Sequence, residues 1–164
     1  MAQLRTAGRA FANQGLAPAQ ILAELNGFAD RVSRGEFATT VVAVFDHGAG
    51  SLSYGTAGHP TPVLRRAGGE VILLTDANGP ALGPIANAKF PPGRVDVHPG
   101  DVLLMYTDGL VETDEQLVSD GIERLTRLAG EWRADALLDC KAVVSELAPP
   151  PRSDDVCLLA VRFG

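Results

Sequence analysis

The sequence predicts an α+β fold, and three observations carry that prediction. Two stretches with helical spacing of apolar residues open the chain. From Phe37 to Tyr106 the period shortens to that of strands, punctuated by glycine and proline. Two more helical stretches and one last apolar run close it. Helices grouped before and after a block of strands, rather than alternating with them, mark α+β rather than α/β architecture. At 164 residues the chain reads as a single domain, 1–164, with enough length to bury a core.

The elements follow in order. Residues 2–14 read as a helix with Leu4, Ala7 and Phe11 on one face and Gly15 as its stop. Pro18 suits a first helical turn. The second helix runs to about Arg34, with Ile21, Leu22, Leu25, Phe28, Ala29 and Val32 as its apolar stripe and Gly35 after it. Phe37–Phe45 and Ser51–Ala57 form a hairpin around residues 46–50, and Pro62–Arg66 and Glu70–Leu74 form another. Thr75–Pro92 is loop-rich and open to a partner or to solvent. Arg94–His98 alternates as a strand, with His98 outward and without a role. Val102–Tyr106 is apolar enough for a strand buried on both faces. Ser119 or Asp120 can cap a helix with Ile122, Leu125 and Leu128 inward. A further helix after Arg133 uses Leu137, Leu138, Val144 and Leu147, and Pro149–Pro151 end it. The last strand, Val156–Phe163, again has apolar residues on both faces.

Composition narrows the function. The hydrophobic fraction of 46% and charged fraction of 21% are those of an ordinary globular domain. A net charge of −6, with no basic cluster larger than Arg65-Arg66, argues against a nucleic-acid partner. No apolar stretch approaches the roughly 20 residues that span a bilayer, and no secretory leader is recognisable, so no membrane association is expected and the cytoplasm is the expected location. Cys140 and Cys157 lack metal-type spacing and read as buried thiols in a reducing compartment.

Two stretches carry the chemistry. After the Pro99-Gly100 turn and the Val102–Tyr106 strand comes Thr107, then Asp108 directly before Gly109. A carboxylate at the end of a buried strand is rigidly held, and the glycine leaves room beside it. Such an oxygen ligand suits a hard cation such as Mg²⁺ or Mn²⁺. The same pair also suits a plain turn. The second stretch, Arg152-Ser153-Asp154-Asp155, stands at the start of the last strand. If that strand lies antiparallel beside Leu103–Tyr106, Asp154 and Asp108 meet at one edge. Two carboxylates brought together resist joint ionisation unless a cation lies between them. His59, in the Ala57-Gly58-His59-Pro60 turn, has two readings: a structural hydrogen bond, the better supported, or a general acid.

Leu103-Leu-Met-Tyr-Thr-Asp-Gly-Leu-Val-Glu112 and Ser153-Asp-Asp-Val-Cys-Leu-Leu159 resemble two signature segments of the type 2C metal-dependent protein serine/threonine phosphatases, closest to the bacterial branch that controls sporulation and stress-response sigma factors. Phe37–Phe45, Leu52–Pro60 with its Tyr-x-x-Ala-Gly-His-Pro pattern, and Pro80-Ala-Leu-Gly-Pro84 match further segments in the family's order. The resemblance implies a four-layer α-β-β-α sandwich of antiparallel sheets. It implies Asp108 and Asp154 as metal ligands, Asp155 or Gly109 as an outer partner or alternative ligand, and a place on the substrate side for His59. It implies two Mn²⁺ or Mg²⁺ ions, a metal-bound water as the attacking group with no protein nucleophile, and a phosphorylated anti-sigma-factor antagonist as substrate. The family's Asp-x-x-Gly-His-Gly segment, with its bridging carboxylate, has no counterpart, and Met1–Arg9 resembles the helix that follows it. The expectation is therefore a family fold lacking its first strands, with weak or partial metal occupancy. An exposed sheet edge, open to self-association, is expected with it. Two functions stand against each other: a phosphatase, and a non-catalytic phosphatase-like module that acts by binding protein.

Overall fold

The computed structural model describes residues 2–32, 37–112, 117–132, 139–150 and 154–164. The chain divides into two compact units, Met1–His59 with Thr75–Val97, and Pro60–Leu74 with His98–Gly164. Among the described residues these hold four helices and two sheets in which antiparallel pairing dominates. The α+β class is as predicted.

In the first unit, helix α1 spans Ala2–Asn13 and helix α2 spans Pro18–Val32. Gly15, at φ 75°, makes the left-handed turn between them that a side chain would resist. The Gln20 carboxamide reaches back to the Ala17 N–H, a capping contact that fixes the start of α2. Ile21, Leu22, Leu25 and Ala29 of α2 are buried with Ala57, Leu82 and Phe90, and Leu4, Ala7 and Phe11 of α1 pack onto the same cluster. These four α2 residues of the stripe read from the sequence form the core face. Strand β2 (Ser51–Ala57) is central and nearly all buried. Strand β1 (Thr40–Asp46) pairs antiparallel along its whole length, from Thr40 opposite Ala57 to Asp46 opposite Ser51. The first strand begins at Thr40 rather than Phe37, whose ring is exposed, and Ala38 instead bridges Leu82.

Within unit two, strands β3 (Val63–Arg65) and β4 (Val71–Leu73) form the predicted hairpin. In the first unit, the loop-rich stretch after Thr75 contains a two-residue strand, β5 (Asn78–Gly79), parallel to the end of β2. Strand β6 (Gly93–Asp96) pairs antiparallel with the start of β2. Loop residues 83–85 are tied to α2 by buried Asn26, which accepts from the Gly83 N–H and donates to the Ile85 carbonyl.

The second sheet has the order β4-β3-β7-β8, with β7 (Val102–Tyr106) inside and β8 (Leu158–Arg162) at the edge, all antiparallel. Helices α3 (Val118–Glu131) and α4 (Cys140–Leu147) cover one face through Leu125, Leu128, Val143 and Leu147, packed on Val63, Leu104 and Tyr106. Asp139 caps α4 by accepting from the Lys141 and Ala142 N–H groups. Arg65 is a buried cation held by carbonyls: it donates to Ala129, to Trp132 and to Arg66, at the C-terminal end of α3 where the helix dipole favours positive charge.

Three expectations are corrected. Helix α3 starts after Leu117, one turn before its supposed caps, and Ser119 donates to Asp120 inside the first turn instead. Strand β8 is not buried on both faces: Leu158 and Ala160 are half-buried, and as an edge strand it leaves Leu159 51% and Val161 36% exposed. Cys157 is exposed and Cys140 half-buried, both as free thiols. His98 points outward as expected, its side chain 71% exposed, while its backbone N–H donates to buried Asp101. Arg34, Gly35, Arg133, Leu137, Leu138, Pro151, Arg152 and Ser153 lie outside the described residues.

Candidate functional site

The site is built where β7 ends. Tyr106, its last residue, is buried, and its hydroxyl donates to the Thr61 carbonyl at 2.8 Å, which pins the strand terminus. Thr107 is still extended, at φ −81° and ψ 158°. Asp108–Leu110 then form one 3₁₀ turn. The Thr107 carbonyl accepts from the Leu110 N–H, and the Asp108 carbonyl accepts from both Val111 and Glu112. Leu110 and Val111 are fully buried in the core, so the turn is anchored from below while the Asp108 side chain stays exposed. Val111 is held from the other side by α3. A Cβ at Gly121 would stand well inside van der Waals contact of the Val111 carbonyl, so helix and turn touch backbone to backbone.

The C-terminal segment meets this turn. Tyr106 pairs with Leu158 as the last rung of the β7–β8 ladder. Beyond it the Thr107 N–H donates to the Cys157 carbonyl at 3.1 Å, the Cys157 N–H donates to Thr107 Oγ1 at 2.8 Å, and Thr107 Oγ1 donates to the Asp155 carbonyl at 2.9 Å. A Cβ built on Gly109 would lie 2.8 Å from the Asp155 carbonyl oxygen and 3.3 Å from Asp154 Cβ. The room that the glycine leaves is therefore taken by the 154–155 backbone. Asp108, on the 3₁₀ turn, and Asp154, on the segment that leads into β8, are 46 positions apart in the sequence and come together at one rim of the second unit.

Both carboxylates are exposed and each is steadied locally. Asp108 Oδ1 accepts from the Gly109 N–H at 3.1 Å and Asp154 Oδ1 from the Asp155 N–H at 2.7 Å. Asp155 is also exposed, but its visible work is done by its carbonyl rather than its carboxylate. The donor set is all oxygen, anionic and open to water. In kind it fits a hard divalent cation, whose remaining positions water can fill. In number it is small: among the described residues no group of three or more His, Cys, Asp or Glu side chains gathers as a metal site.

His59 belongs to the first unit. It is half-buried, and its Nδ1 lies 3.3 Å from Thr39 Oγ1. Gly58, at φ 63°, packs against Ala81, so a Cβ there would be both strained and crowded. Sequence reasoning missed Thr107 and Gly121. A hydroxyl directly before a strand-end Asp-Gly pair was a usable signal for the first. For the second, the signal was a glycine inside a helical pattern.

Comparison with known proteins shows the family of the chain. The family described as Stage II sporulation protein E (SpoIIE) matches residues 1–164. The crystal structure of the RsbU and RsbW domains of Rv1364c from Mycobacterium tuberculosis superposes with a TM-score of 0.85 at 30% identity, covering 99% of this chain and 46% of that one. The phosphatase domain of SpoIIE from Bacillus subtilis, presoaked with Mn, superposes at 0.69 and 17% identity over 95% of this chain and 70% of that one, a likeness of fold. Protein IcfG of Synechocystis sp. is 38% identical over 77 residues, which are 46% of this chain and 12% of IcfG. The chain thus spans less than half the length of two of these relatives.

Proposed function

The chain belongs to the SpoIIE family of PP2C-like phosphatase domains, and from that premise we propose that it hydrolyses phosphoserine or phosphothreonine on a sigma-factor regulator with the help of Mn²⁺ or Mg²⁺. The observation that carries the reading is the convergence of the Asp108 turn and the Asp154 segment on one exposed rim. In this reading Asp108 and Asp154 hold the cation, and the exposed Asp155 carboxylate beside them orients water or supplies a further oxygen. A bound divalent ion supplies neutralisation of the phosphoryl oxygens and a lowered pKa for water. The chain's own contribution is to hold two carboxylates side by side, one on the turn after β7 and one on the segment before β8, and to keep the rim open to a protein-borne phosphate. The joining of an RsbU domain and an RsbW domain in the Mycobacterium tuberculosis relative supports a phosphorylated anti-sigma-factor antagonist as the substrate.

The test is release of phosphate from p-nitrophenyl phosphate and from such a phosphorylated antagonist, with Mn²⁺ titrated by calorimetry. With two carboxylates to hold the ion, one weak site is expected. Asp108→Asn and Asp154→Asn are each expected to weaken Mn²⁺ binding at least about tenfold, a change of the size that disturbing a metal site's supports already produces. Release should fall with it. Release that needs no divalent ion, or that both variants leave intact, overturns the assignment. Tight binding of the phosphorylated antagonist with no release at any Mn²⁺ concentration establishes the non-catalytic module instead.

A further inference from the structure

We infer that the hydroxyl of Thr107 is the positioning group that sets the separation of Asp108 and Asp154. The inference rests on the proposed metal role of those two residues, and it starts from a gap in the ladder. In an antiparallel pair, two opposed residues exchange both backbone hydrogen bonds. Thr107 and Cys157 make only half of that exchange with the backbone. The Thr107 N–H donates to the Cys157 carbonyl. The return bond has no backbone acceptor, because the Thr107 carbonyl has turned away to accept from the Leu110 N–H and start the turn that carries Asp108. The side chain takes the carbonyl's place: Thr107 Oγ1 accepts from the Cys157 N–H at 2.8 Å. The same oxygen then donates its proton to the Asp155 carbonyl at 2.9 Å.

One hydroxyl thus does two things. It lets β7 break into a 3₁₀ turn without releasing β8, and it draws the 154–155 backbone onto Gly109, where only a missing Cβ allows the approach. Both carboxylates project from the segments so joined. A residue of the same shape without the hydroxyl cannot do this. Valine would leave the Cys157 N–H without its acceptor and the Asp155 carbonyl without its donor, whereas serine keeps both bonds. Both bonds of the Thr107 hydroxyl go to backbone groups of the 155–157 segment, so its proposed effect on the chemistry is to position the two aspartates.

The test compares the full chain with Thr107→Val and Thr107→Ser, using Mn²⁺ alone as probe. Thr107→Val is expected to weaken Mn²⁺ binding by about 10–100-fold, the range found when a metal site loses an outer-shell support. Thr107→Ser is expected to restore most of it, with the thermal midpoint of both variants close to that of the parent. A second readout needs no metal: hydrogen exchange at the Cys157 amide should speed up in Thr107→Val and not in Thr107→Ser. Unchanged exchange in Thr107→Val overturns the inference whether or not the ion binds. Faster exchange with unchanged Mn²⁺ affinity overturns it too, since the clamp would then not govern the carboxylates. If the parent chain binds no Mn²⁺ while exchange still responds to the hydroxyl, the metal reading fails and the positioning device stands.

Discussion

Asp101 shows how much a single buried carboxylate organises in this fold. Its side chain is only 2% exposed, yet both oxygens are engaged: Oδ2 with the Arg66 guanidinium at 2.8 Å and the His98 N–H at 3.0 Å, Oδ1 with the Ala67 N–H at 2.9 Å. Its backbone also receives the Phe163 N–H, so one residue ties the β3–β4 turn, the turn before β7 and the end of β8. Burial by itself pushes the Asp101 carboxyl up. The Arg66 hydrogen bond and the two backbone donors outweigh it, and the group is held below the ordinary carboxylate range. The sign of the linkage follows. A pKa lower in the folded state contributes stability that is complete above the unfolded value of about 3.9 and is lost as pH falls through the lower folded value. We expect urea midpoints to hold down to about pH 5 and then to decline in acid. Asp101→Asn should lower the midpoint at pH 7 and flatten the acid decline, because the variant has no carboxylate left to protonate. An equally steep decline in the variant would assign acid sensitivity to other carboxylates.

Among elements, α3 and the Asp108 turn meet backbone to backbone at Gly121, and this junction inverts an ordinary rule. Glycine inside a helix normally costs about 1 kcal/mol relative to alanine, so a helical Gly→Ala change commonly stabilises. Gly121 lies on the buried side of α3 with Leu125, Leu128 and Ala129, and the space where its Cβ would go is filled by the Val111 carbonyl. Both parties are backbone, so no flexible side chain can yield. Gly121→Ala is expected to destabilise by about 1–3 kcal/mol, as overpacked cores do, and denaturant unfolding reads the sign directly. A gain in stability would mean that α3 does not bear on the turn. This junction also shows where the sequence was readable and where it was not. The strand β7, its antiparallel partner β8 and the meeting of the Asp108 and Asp154 segments follow from apolar runs ending in acids, a local pattern with a strong period. Gly121 against Val111 and Thr107 against Asp155 are contacts across 10 and 48 positions. No period encodes them, because each depends on the absence of an atom or on one hydroxyl. The burial of β8 on both faces was misread for the same reason. Leu159 and Val161 are apolar enough for a central strand, and only topology puts them at an edge.

For the whole molecule, the path of the chain decides how it unfolds. It passes from the first unit to the second after His59, returns after Leu74 and leaves again after Val97. Neither unit is a continuous piece of sequence, and the β3–β4 hairpin of the second unit is an excursion from the first. A unit made of separated segments loses its ends when the other opens, so we propose that residues 1–164 behave as one cooperative domain. The sheets carry a second consequence. Val44 and Phe45 on β1 are 42% and 39% exposed, and β8 presents Leu159 and Val161 beside an outer edge with no strand paired to it among the described residues. Open apolar edges favour pairing with another chain, and a second copy is the partner always present at high concentration. Scanning calorimetry at two protein concentrations about 50-fold apart tests both points in one experiment. A single transition is expected at each. Its midpoint should rise with concentration, because association that involves only the folded form stabilises it by mass action. Leu159→Lys places a charge on the exposed face of the edge strand and should remove most of that rise while leaving the dilute midpoint nearly unchanged. Two resolved transitions would contradict the single domain, and a midpoint independent of concentration would contradict the self-association.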